Sequence, residues 1–536
     1  MTAAPRPALS ELSERTWLVA SACILLAAAC LRLYDPGLNP LHHDEGVNGF
    51  FLTSLLRQGR YTYDPSNYHG PTLYYITLPF VALLGLKTYV IRLVPSLFGI
   101  GIVWLVLCLR RYIGTTGALV AAALIAVSPG AVYNSRYFIH ESLFVFFTLG
   151  IVVAMLWFYK TGQALYLMLA AASAGLLFAT KETHFVSAGV LVLATLTASV
   201  YVSITGGRDD RNLTGERRGT RTQLPWDAQG GESTEARGIF APFGDASRTN
   251  VLLLSALALF VVINVLLYSS FFTNQKGIMW DAFEAFGKWR DTGTSDFHKK
   301  PFDTYFKWLW QEEAPIFVLA CAGAAVAVLQ RFKNRFAVFV GAWAFGMLLA
   351  YSLIPYKTPW LMLNFTIPSA IVGGYGVQVF DDWCRRKNLT RAPALLLAGC
   401  ALAVCSYQTL VLNFREYDND AYIYVYSHTQ RGTLQLVAEV ERLAERAGTG
   451  KETAISLSSP DYWPLPWYFR DYKGTAFDSQ VKSSYDAHQT PIVIARERDA
   501  GKLRSLLGQN YRQDGALYAL RPGVQLVLFA RRDLLE

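Results

Sequence analysis

The sequence predicts an α-helical multi-pass membrane protein of about eleven transmembrane helices, followed by a small C-terminal α/β domain. Three observations carry this reading. Of 536 residues, 52% are hydrophobic and only 17% are charged, and the mean hydropathy is +0.25; soluble proteins carry about 25% charged residues. The apolar residues fall in runs close to the ~20 needed to cross a bilayer as a helix. After about Asn413 that pattern stops, and shorter amphipathic stretches alternate. The net charge of +9 would suggest a nucleic-acid partner for a soluble chain. In a membrane protein it belongs to basic cytoplasmic loops, so membrane lipids and no nucleic acid are the expected partners.

The first run, about Thr16 to Leu33, follows an arm bearing Arg6 and Arg15. The small residues of "LAAAC" near its end also fit a cleaved signal peptide, but the many spans that follow favour an uncleaved first helix. Further runs lie near 91–109, 115–133, 141–159, 164–181, 184–204, 251–271, 314–330, 336–354, 359–379 and 392–412, eleven with the first. "PTLYYITLPFVALLG" (71–85) is apolar but short and holds two prolines, and it reads as a re-entrant or surface-lying helix.

Loop charge supports this parity. With the N-terminus in the cytoplasm, "RR" (110–111), Lys160, the loop 205–250, "RFKNR" (331–335) and "RRKNLTR" (385–391) fall inside. Residues 35–90, "NSRYFIHE" (134–141), "KETH" (181–184), 272–313, "PYKTPW" (355–360) and everything after 412 fall outside. The basic clusters thus share one side, as insertion favours; counting 71–85 as a span would scatter them. The loop 205–250, rich in Gly, Thr and mixed charge, reads as disordered. Its "NLT" triplet lies on the wrong side for glycosylation. The seven cysteines show neither metal nor disulfide spacing.

The transmembrane part therefore covers 1–412 and the C-terminal domain 413–536. In the latter, "RGTLQLVAEVERLAERAG" (431–448) has helical periodicity and "ETAISLSS" (452–459) reads as a strand. "TPIVIARE" (490–497), a helix near "AGKLRSLLGQ" (500–509) and "VQLVLFARR" (524–532) continue the alternation. No Gly-rich phosphate loop is present, so the α/β pattern assigns no function.

This topology puts Asp44, Glu45, Glu141, Lys181, Glu182 and Lys357 at or near the outer ends of spans, while span centres carry almost no charge. A charge at mid-bilayer costs a few kcal/mol or more. An ion-coupled transporter would place acids near the midplane, often on broken helices; a one-faced acidic site suits an enzyme at the membrane boundary. Each element also has a structural reading. Asp44 and Glu45 are placed to cap a helix. Arg136 and Tyr137 suit headgroup anchors, with Glu141 opening the next helix. Lys181 suits snorkelling at a helix end. His42 and His43 have no third metal ligand at a defined spacing. Order and spacing carry more than any one of these.

The stretches "HHDEGVNGFFLTSLLRQGRY", "HGPTLYYITLPFVALLGLKTYVIRLVPSLFG", "NSRYFIHESLFVFF" and "LLFATKETHF" follow one another over the first 200 or so residues. Their order resembles the GT-C superfamily of integral-membrane glycosyltransferases. It is most similar to the glycosyltransferase 39 group, which includes protein O-mannosyltransferases and lipid A aminoarabinose transferases. Within that group it resembles the bacterial and archaeal flippase-activity-associated membrane proteins, as do "YKTPWLMLNFTIPSAIVGGYG" and "DYWPLPWYFRDYKG".

The resemblance implies juxtamembrane helices in the first outer loop. It also implies inverting transfer of a sugar from a polyprenyl-phosphate-linked donor to a lipid, glycan or protein acceptor outside the plasma membrane. Asp44 matches the acceptor base, with Glu45 beside it. Glu141 matches a second acid, for acceptor positioning or, with Asp44, for a divalent metal ion; no other cofactor is implied. Lys181, Arg92 and Lys357 suit the donor phosphate. His69, Tyr74, Arg136, Tyr137, Glu182, His298, Trp463 and Trp467 are the expected acceptor or sugar contacts. The C-terminal domain is expected to cap the site and help select the acceptor. Three positions depart from the pattern: Glu141 stands where relatives often have Asp, Glu182 where many have Gly, and His69-Gly70 where some have a Lys before Pro. The rival readings are a transporter, flippase or accessory protein for a lipid-linked sugar, and a non-catalytic membrane scaffold.

Overall fold

Lipid offers no partner to a bare backbone group, so apolar runs must close their hydrogen bonds internally as helices. In the computed structural model, which describes residues 12–67, 69–206, 241–275, 281–294, 299–330 and 334–536, all eleven runs are helical. The chain begins with α1 (Glu14–Leu33), capped by the Ser13 hydroxyl on Thr16 N–H. The first loop carries α2 (His43–Gln58) and α3 (Thr72–Leu84). Then follow α4 (Thr88–Leu107), the single turn α5 (Arg110–Ile113), α6 (Thr115–Ala126), α7 (Pro129–Ser135), α8 (Glu141–Thr161), α9 (Ala164–Phe178) and α10 (His184–Gly206). After α11 (Ala246–Tyr268) and α12 (Asp281–Thr294) come α13 (Thr304–Glu312), α14 (Ala314–Leu329), α15 (Arg335–Leu353), α16 (Leu363–Arg386) and α17 (Ala392–Leu410).

Seven of the described helices are long and apolar enough to cross a membrane singly, and up to nine spans result if α6–α7 and α13–α14 each count as one broken span. The other two runs differ for visible reasons. Helix α9 has only 15 residues, and the uncharged part of α16 is diluted by Asn364, Ser369, three glycines and Gln378. Helix α3, with 13 residues, is about 20 Å long at ~1.5 Å per residue, too short to span, as expected. It is pinned to the α9–α10 loop by Gly70 N–H to Thr180 O and Thr72 N–H to Ala179 O, both 3.1 Å. A Cβ on Gly70 would overlap the Ala179 carbonyl, so only glycine permits this approach. Most of the loop expected to be disordered, residues 207–240, lies outside the described residues.

Breaks and helix ends inside the bundle are satisfied by buried arginines. Helices α6 and α7 meet at 57°, and Arg32 of α1 donates to the freed carbonyls of Ile125 and Ala126 at 3.1 and 3.0 Å. Arg136 closes the end of α1, donating to Tyr34 O at 2.6 Å and Asp35 O at 2.8 Å. Helix α16 packs between α14 and α6 at contacts where Gly323 and Gly374 leave no room for a Cβ; such small residues let helix backbones approach in lipid. At the far end of these helices, buried Asp381 accepts from Thr116 at 3.0 Å and from Arg385 and Arg391 at 2.9 Å, tying α6, α16 and α17 together.

The C-terminal region folds around a mixed sheet of β1 (Ile455–Ser458), β2 (Thr475–Asp478), β3 (Ile492–Arg496), β4 (Tyr511–Gln513), β5 (Tyr518–Arg521) and β6 (Val524–Arg531). The order is β2-β1-β3-β6-β4, with β5 also on β6. Strands β1, β2 and β3 run parallel and the pairs with β6 antiparallel. Alternation sends Ile492, Ile494 and Leu528 to one face, under α18 (Gly432–Arg446), and Val493, Ala495 and Phe529 to the other, under α20 (Ala500–Leu507). Every helix and strand expected here is present. The short helix α19 (Leu465–Tyr468) carries the aromatic stretch to the transmembrane part.

Candidate active site

The residues ahead of α2 set the geometry. His42, not an acid, is the N-cap: its Nδ1 accepts from Asp44 N–H at 3.1 Å, and its own N–H donates to Glu45 at 2.9 Å, a reciprocal capping box. The capping box fixes opposite fates for the adjacent acids. Glu45 points inward and is fully buried; it accepts from Arg92 Nε and Nη2 at 2.7 and 2.6 Å and from Phe138 N–H at 2.8 Å. Asp44 points outward with its side chain 43% exposed. Among the described residues its carboxylate makes no hydrogen bond, and His42 Nδ1 stands 3.8 Å away.

Asp44 lines a cavity of about 630 Å³. Its walls come from the first loop (His43, His69), the start of α8 (His140, Glu141), the α9–α10 loop (Lys181, Glu182, Thr183), the end of α15 and the loop after it (Tyr351, Thr358, Trp360), and the C-terminal region (Tyr426, Asp461, Arg521). These segments all lie at one end of the bundle. Buried Glu141 receives the ammonium of buried Lys181. Burial works to lower the Lys181 pKa, but Glu141, Glu182 and more weakly Asp44 outweigh it and hold it above the ordinary lysine value. Glu182 accepts from, or shares a proton with, His69 Nδ1 at 3.1 Å, and its other oxygen, Oε1, is buried with no hydrogen-bond partner among the described residues. The His140 ring packs against His69 at 4.9 Å between centroids, tilted by 50°. Its Nε2 lies 3.2 Å from Gly70 O. Burial, helped by His69 and Lys181, holds it well below the usual imidazole range, so His140 is neutral near pH 7.

The structure therefore gathers Asp44, Glu141, Lys181, Glu182 and His69 in one cavity and sends other expected residues elsewhere. Glu45 and Arg92 are corrected from catalytic and phosphate-binding roles: they form a buried ion pair, and Arg92 also donates to the carbonyls of Pro36, Asn39 and Pro40, which leaves it nothing for a ligand. Lys357 is likewise corrected. It is buried and donates to Ser352 O and Ile354 O at 2.8 and 2.6 Å, capping the end of α15. Tyr74 hydrogen-bonds Asn48 behind the cavity wall, Arg136 caps α1, and Tyr137 bonds His428 and Tyr133 in a buried polar cluster; none of the three lines the cavity. Trp467 is buried against Gly49 of α2, its Nε1 donating to Thr88, so it is a docking contact and not a sugar platform. Trp463 packs on His43 and Phe50, just outside the lining. His298 lies outside the described residues.

Sequence reasoning missed Arg521 and Asp461. Arg521 donates to His43 Nδ1 at 3.2 Å and pairs with Asp461, which Arg496 also reaches at 3.2 Å. Burial, with His42 and Arg521 nearby, pushes the His43 pKa down against the pull of Asp44 and Asp461. Asp461 opens the quoted aromatic stretch and could have been noticed there; nothing local marks Arg521. Among the described residues no three His, Cys, Asp or Glu side chains converge as a protein-built metal site requires. With Glu141 engaged by Lys181, an ion at Asp44 and Glu141 would take its remaining ligands from water or substrate, as Mg²⁺ sites do.

Comparisons with known proteins agree with this architecture. Residues 68–209 match the family model of dolichyl-phosphate-mannose-protein mannosyltransferases. Comparison with curated proteins gives no match. The fold is similar to that of ArnT from Cupriavidus metallidurans bound to undecaprenyl phosphate, with a TM-score of 0.58 and 13% identity over 96% of this chain and 98% of that one. It is also similar to the Archaeoglobus fulgidus oligosaccharyltransferase tethered to an acceptor peptide, with a TM-score of 0.53 and 14% identity over 91% of this chain and 70% of that one. The chain thus has a multi-pass helical membrane fold similar to those of ArnT and the archaeal oligosaccharyltransferase, and its segment 68–209 matches the mannosyltransferase family model.

Proposed function

We propose that this protein is an inverting glycosyltransferase that moves a sugar from a polyprenyl-phosphate-linked donor to an acceptor hydroxyl at the outer face of the plasma membrane, with Asp44 as base. The observation that carries the proposal is the contrast among the acids at the cavity. Glu45, Glu141 and Glu182 are each buried against a nitrogen partner, whereas the Asp44 carboxylate stands at the cavity with no hydrogen bond among the described residues. A general base must reach the proton it removes, and this exposure supports Asp44 in that role.

The acceptor O–H gives its proton to Asp44 as its oxygen bonds to the anomeric carbon. The bond from that carbon to the donor phosphate breaks on the opposite face, and the electron pair leaves with the polyprenyl phosphate. A single displacement of this kind inverts the anomeric centre. Glu141, fixed by Lys181, is suited to accept a hydrogen bond from a second hydroxyl of the acceptor or the sugar. The undecaprenyl phosphate in the ArnT structure supports a polyprenyl phosphate as carrier here. Arg521 and Asp461, which bring the C-terminal domain to the cavity, are suited to shape the acceptor side.

Sidedness is supported by charge. The cavity sits at one end of the bundle, and Arg110, Arg111, Lys160, Arg385 and Arg386 sit at the opposite helix ends, where cytoplasmic loops collect basic residues. The test is mass spectrometry of envelope glycans and lipid-linked sugars in cells lacking the gene and complemented with wild type or Asp44→Asn. Loss of the transferred sugar with unchanged protein level supports the assignment. Retained transfer by correctly inserted Asp44→Asn would overturn it.

A further inference from the structure

The charged groups of the cavity are arranged differently on its two walls. On the transmembrane wall each buried carboxylate has one nitrogen partner, Glu141 with Lys181 and Glu182 with His69. On the wall supplied by the C-terminal domain the pairing is uneven. One carboxylate, Asp461, is shared by Arg521 through Oδ1 and by Arg496 through Oδ2 at 3.2 Å. Strand directions explain why these three residues meet. Strands β3 and β5 both pair antiparallel with β6 and so run the same way, and β1 runs parallel to β3. Arg496 is the last residue of β3, Arg521 the last of β5, and Asp461 follows the end of β1 by three residues. All three therefore lie at the carboxyl edge of the sheet, the edge at which open α/β sheets bind ligands.

We infer that this edge binds an oxyanion, a carboxylate or a phosphate, carried by the acceptor beside its reactive hydroxyl, with Arg521 making the contact. The inference rests on the glycosyl-transfer reading above and names the acceptor class for it. Two guanidinium groups against one carboxylate leave a positive charge over, at a place where the Arg496, Asp461 and Arg521 side chains are only 16, 28 and 19% exposed. A partly buried charge without a counter-ion is costly. His43 does not alter the balance. Arginine has no acceptor, so His43 takes the Arg521 hydrogen bond on Nδ1 at 3.2 Å, and burial pushes its pKa down, so it adds no charge near pH 7. Asp44, next in the chain to His43, pairs with neither guanidinium among the described residues. Arg521 also has donors to spare. A guanidinium carries five N–H groups in a planar fork, and Arg521 spends one on His43 and one on Asp461 among the described residues. It lines the cavity, and such a fork holds a carboxylate or phosphate by two parallel N–H···O bonds. On the other side of Asp461, the Arg496 Nε–H is buried with no hydrogen-bond partner among the described residues. Because Arg521 touches His43, the residue before Asp44, an anion held there brings the adjoining hydroxyl to the proposed base.

The experiment compares full-length wild type, Arg521→Gln and Arg496→Gln, each purified in detergent as a monodisperse species. Saturation-transfer NMR titrations measure the affinity of glucuronic acid, of glucose phosphorylated on its primary hydroxyl, and of glucose itself as the neutral control. Undecaprenyl phosphate binding to wild type is measured in parallel. Wild type should bind a charged probe about tenfold more tightly than glucose, and the tighter of the two charged probes tells a uronic acid from a phosphate ester. Arg521→Gln should lose that preference. Arg496→Gln should lose part of it, because Asp461 then matches Arg521 alone. No preference in wild type, or a preference that Arg521→Gln retains, would overturn the inference. So would equal losses for charged and neutral probes, which a purely structural role would produce. Wild type that prefers a charged probe yet does not bind undecaprenyl phosphate would overturn the donor class proposed above and leave this site standing.

Discussion

The carboxylate of Glu45 accepts from Arg92 twice, from His42 N–H and from Phe138 N–H, and is sealed from solvent; that of Asp44, one residue earlier, accepts none among the described residues. This difference separates two kinds of mutational effect. Asp44→Asn is isosteric at an exposed position, so the fold should survive while transfer collapses. Removing either partner of the Glu45–Arg92 pair leaves a buried charge unpaired, at a cost of about 3–5 kcal/mol. We expect Arg92→Met or Glu45→Gln to lower the thermal midpoint of the detergent-solubilised protein by many degrees. Activity should fall only in proportion to the folded fraction. Unchanged melting with lost turnover in Arg92→Met would return Arg92 to the chemistry.

Helix α2 is the element on which the site depends, and it is held from both sides. Its inner face is anchored through Glu45, and Asn48 donates to Phe138 O at 2.9 Å. Its other face presents Gly46 and Gly49 to the aromatic stretch of the C-terminal domain: a Cβ on Gly46 would lie 2.7 Å from Pro464, and one on Gly49 2.5 Å from the Trp467 ring. Leu41 N–H donates to Tyr468, Trp467 donates to Thr88, and Arg470 reaches Leu86 O. The aromatic stretch is thus a dock that sets the position of α2, and with it Asp44. Trp467→Ala would leave a cavity costing about 3–5 kcal/mol, and Gly49→Leu would overfill the same contact at about 1–3 kcal/mol. Both should accelerate limited proteolysis between the transmembrane part and residues 413–536 and lower kcat without touching Asp44. Wild-type cleavage rates in both variants would count against the dock.

Over the whole molecule, burial disfavours the protonated form of two imidazoles. His140 and His428 are held well below the usual histidine range by burial, His140 further by His69 and Lys181 and His428 further by His42 and Arg92. In the unfolded chain both titrate near ~6.5. Above that pH both states carry neutral imidazole and the native contacts are retained in full. As pH falls below it, the unfolded state binds protons that the folded state cannot, and stability drops by up to about 1.4 kcal/mol per pH unit for each group. Thermal midpoints of the purified protein should therefore fall between pH 7 and pH 5, and His140→Asn should flatten that slope. An unchanged slope in the variant would mean that His140 titrates normally in the fold.

The sequence by itself determined the solvent and the scaffold. Length and spacing of apolar runs determine helices because lipid permits little else, loop charge supports the sidedness, and strand alternation marks the C-terminal sheet. The charged motifs could also be read from sequence as a set, and Asp44, Glu141, Lys181, Glu182 and His69 do meet in one cavity. Which members face that cavity was not readable. Glu45 and Asp44 differ by one residue on a helix, about 100° of rotation, and His42 as N-cap sets that rotation. Arg92, Arg136 and Lys357 look like ligand cations in sequence, yet each closes carbonyls or a carboxylate that the fold would otherwise leave bare, because buried polar groups must be paired. Arg521 reaches the site from a strand some 475 residues after Asp44. Only the tertiary structure decided these placements, because pairing inside a bundle depends on which surfaces meet, and no local pattern records that.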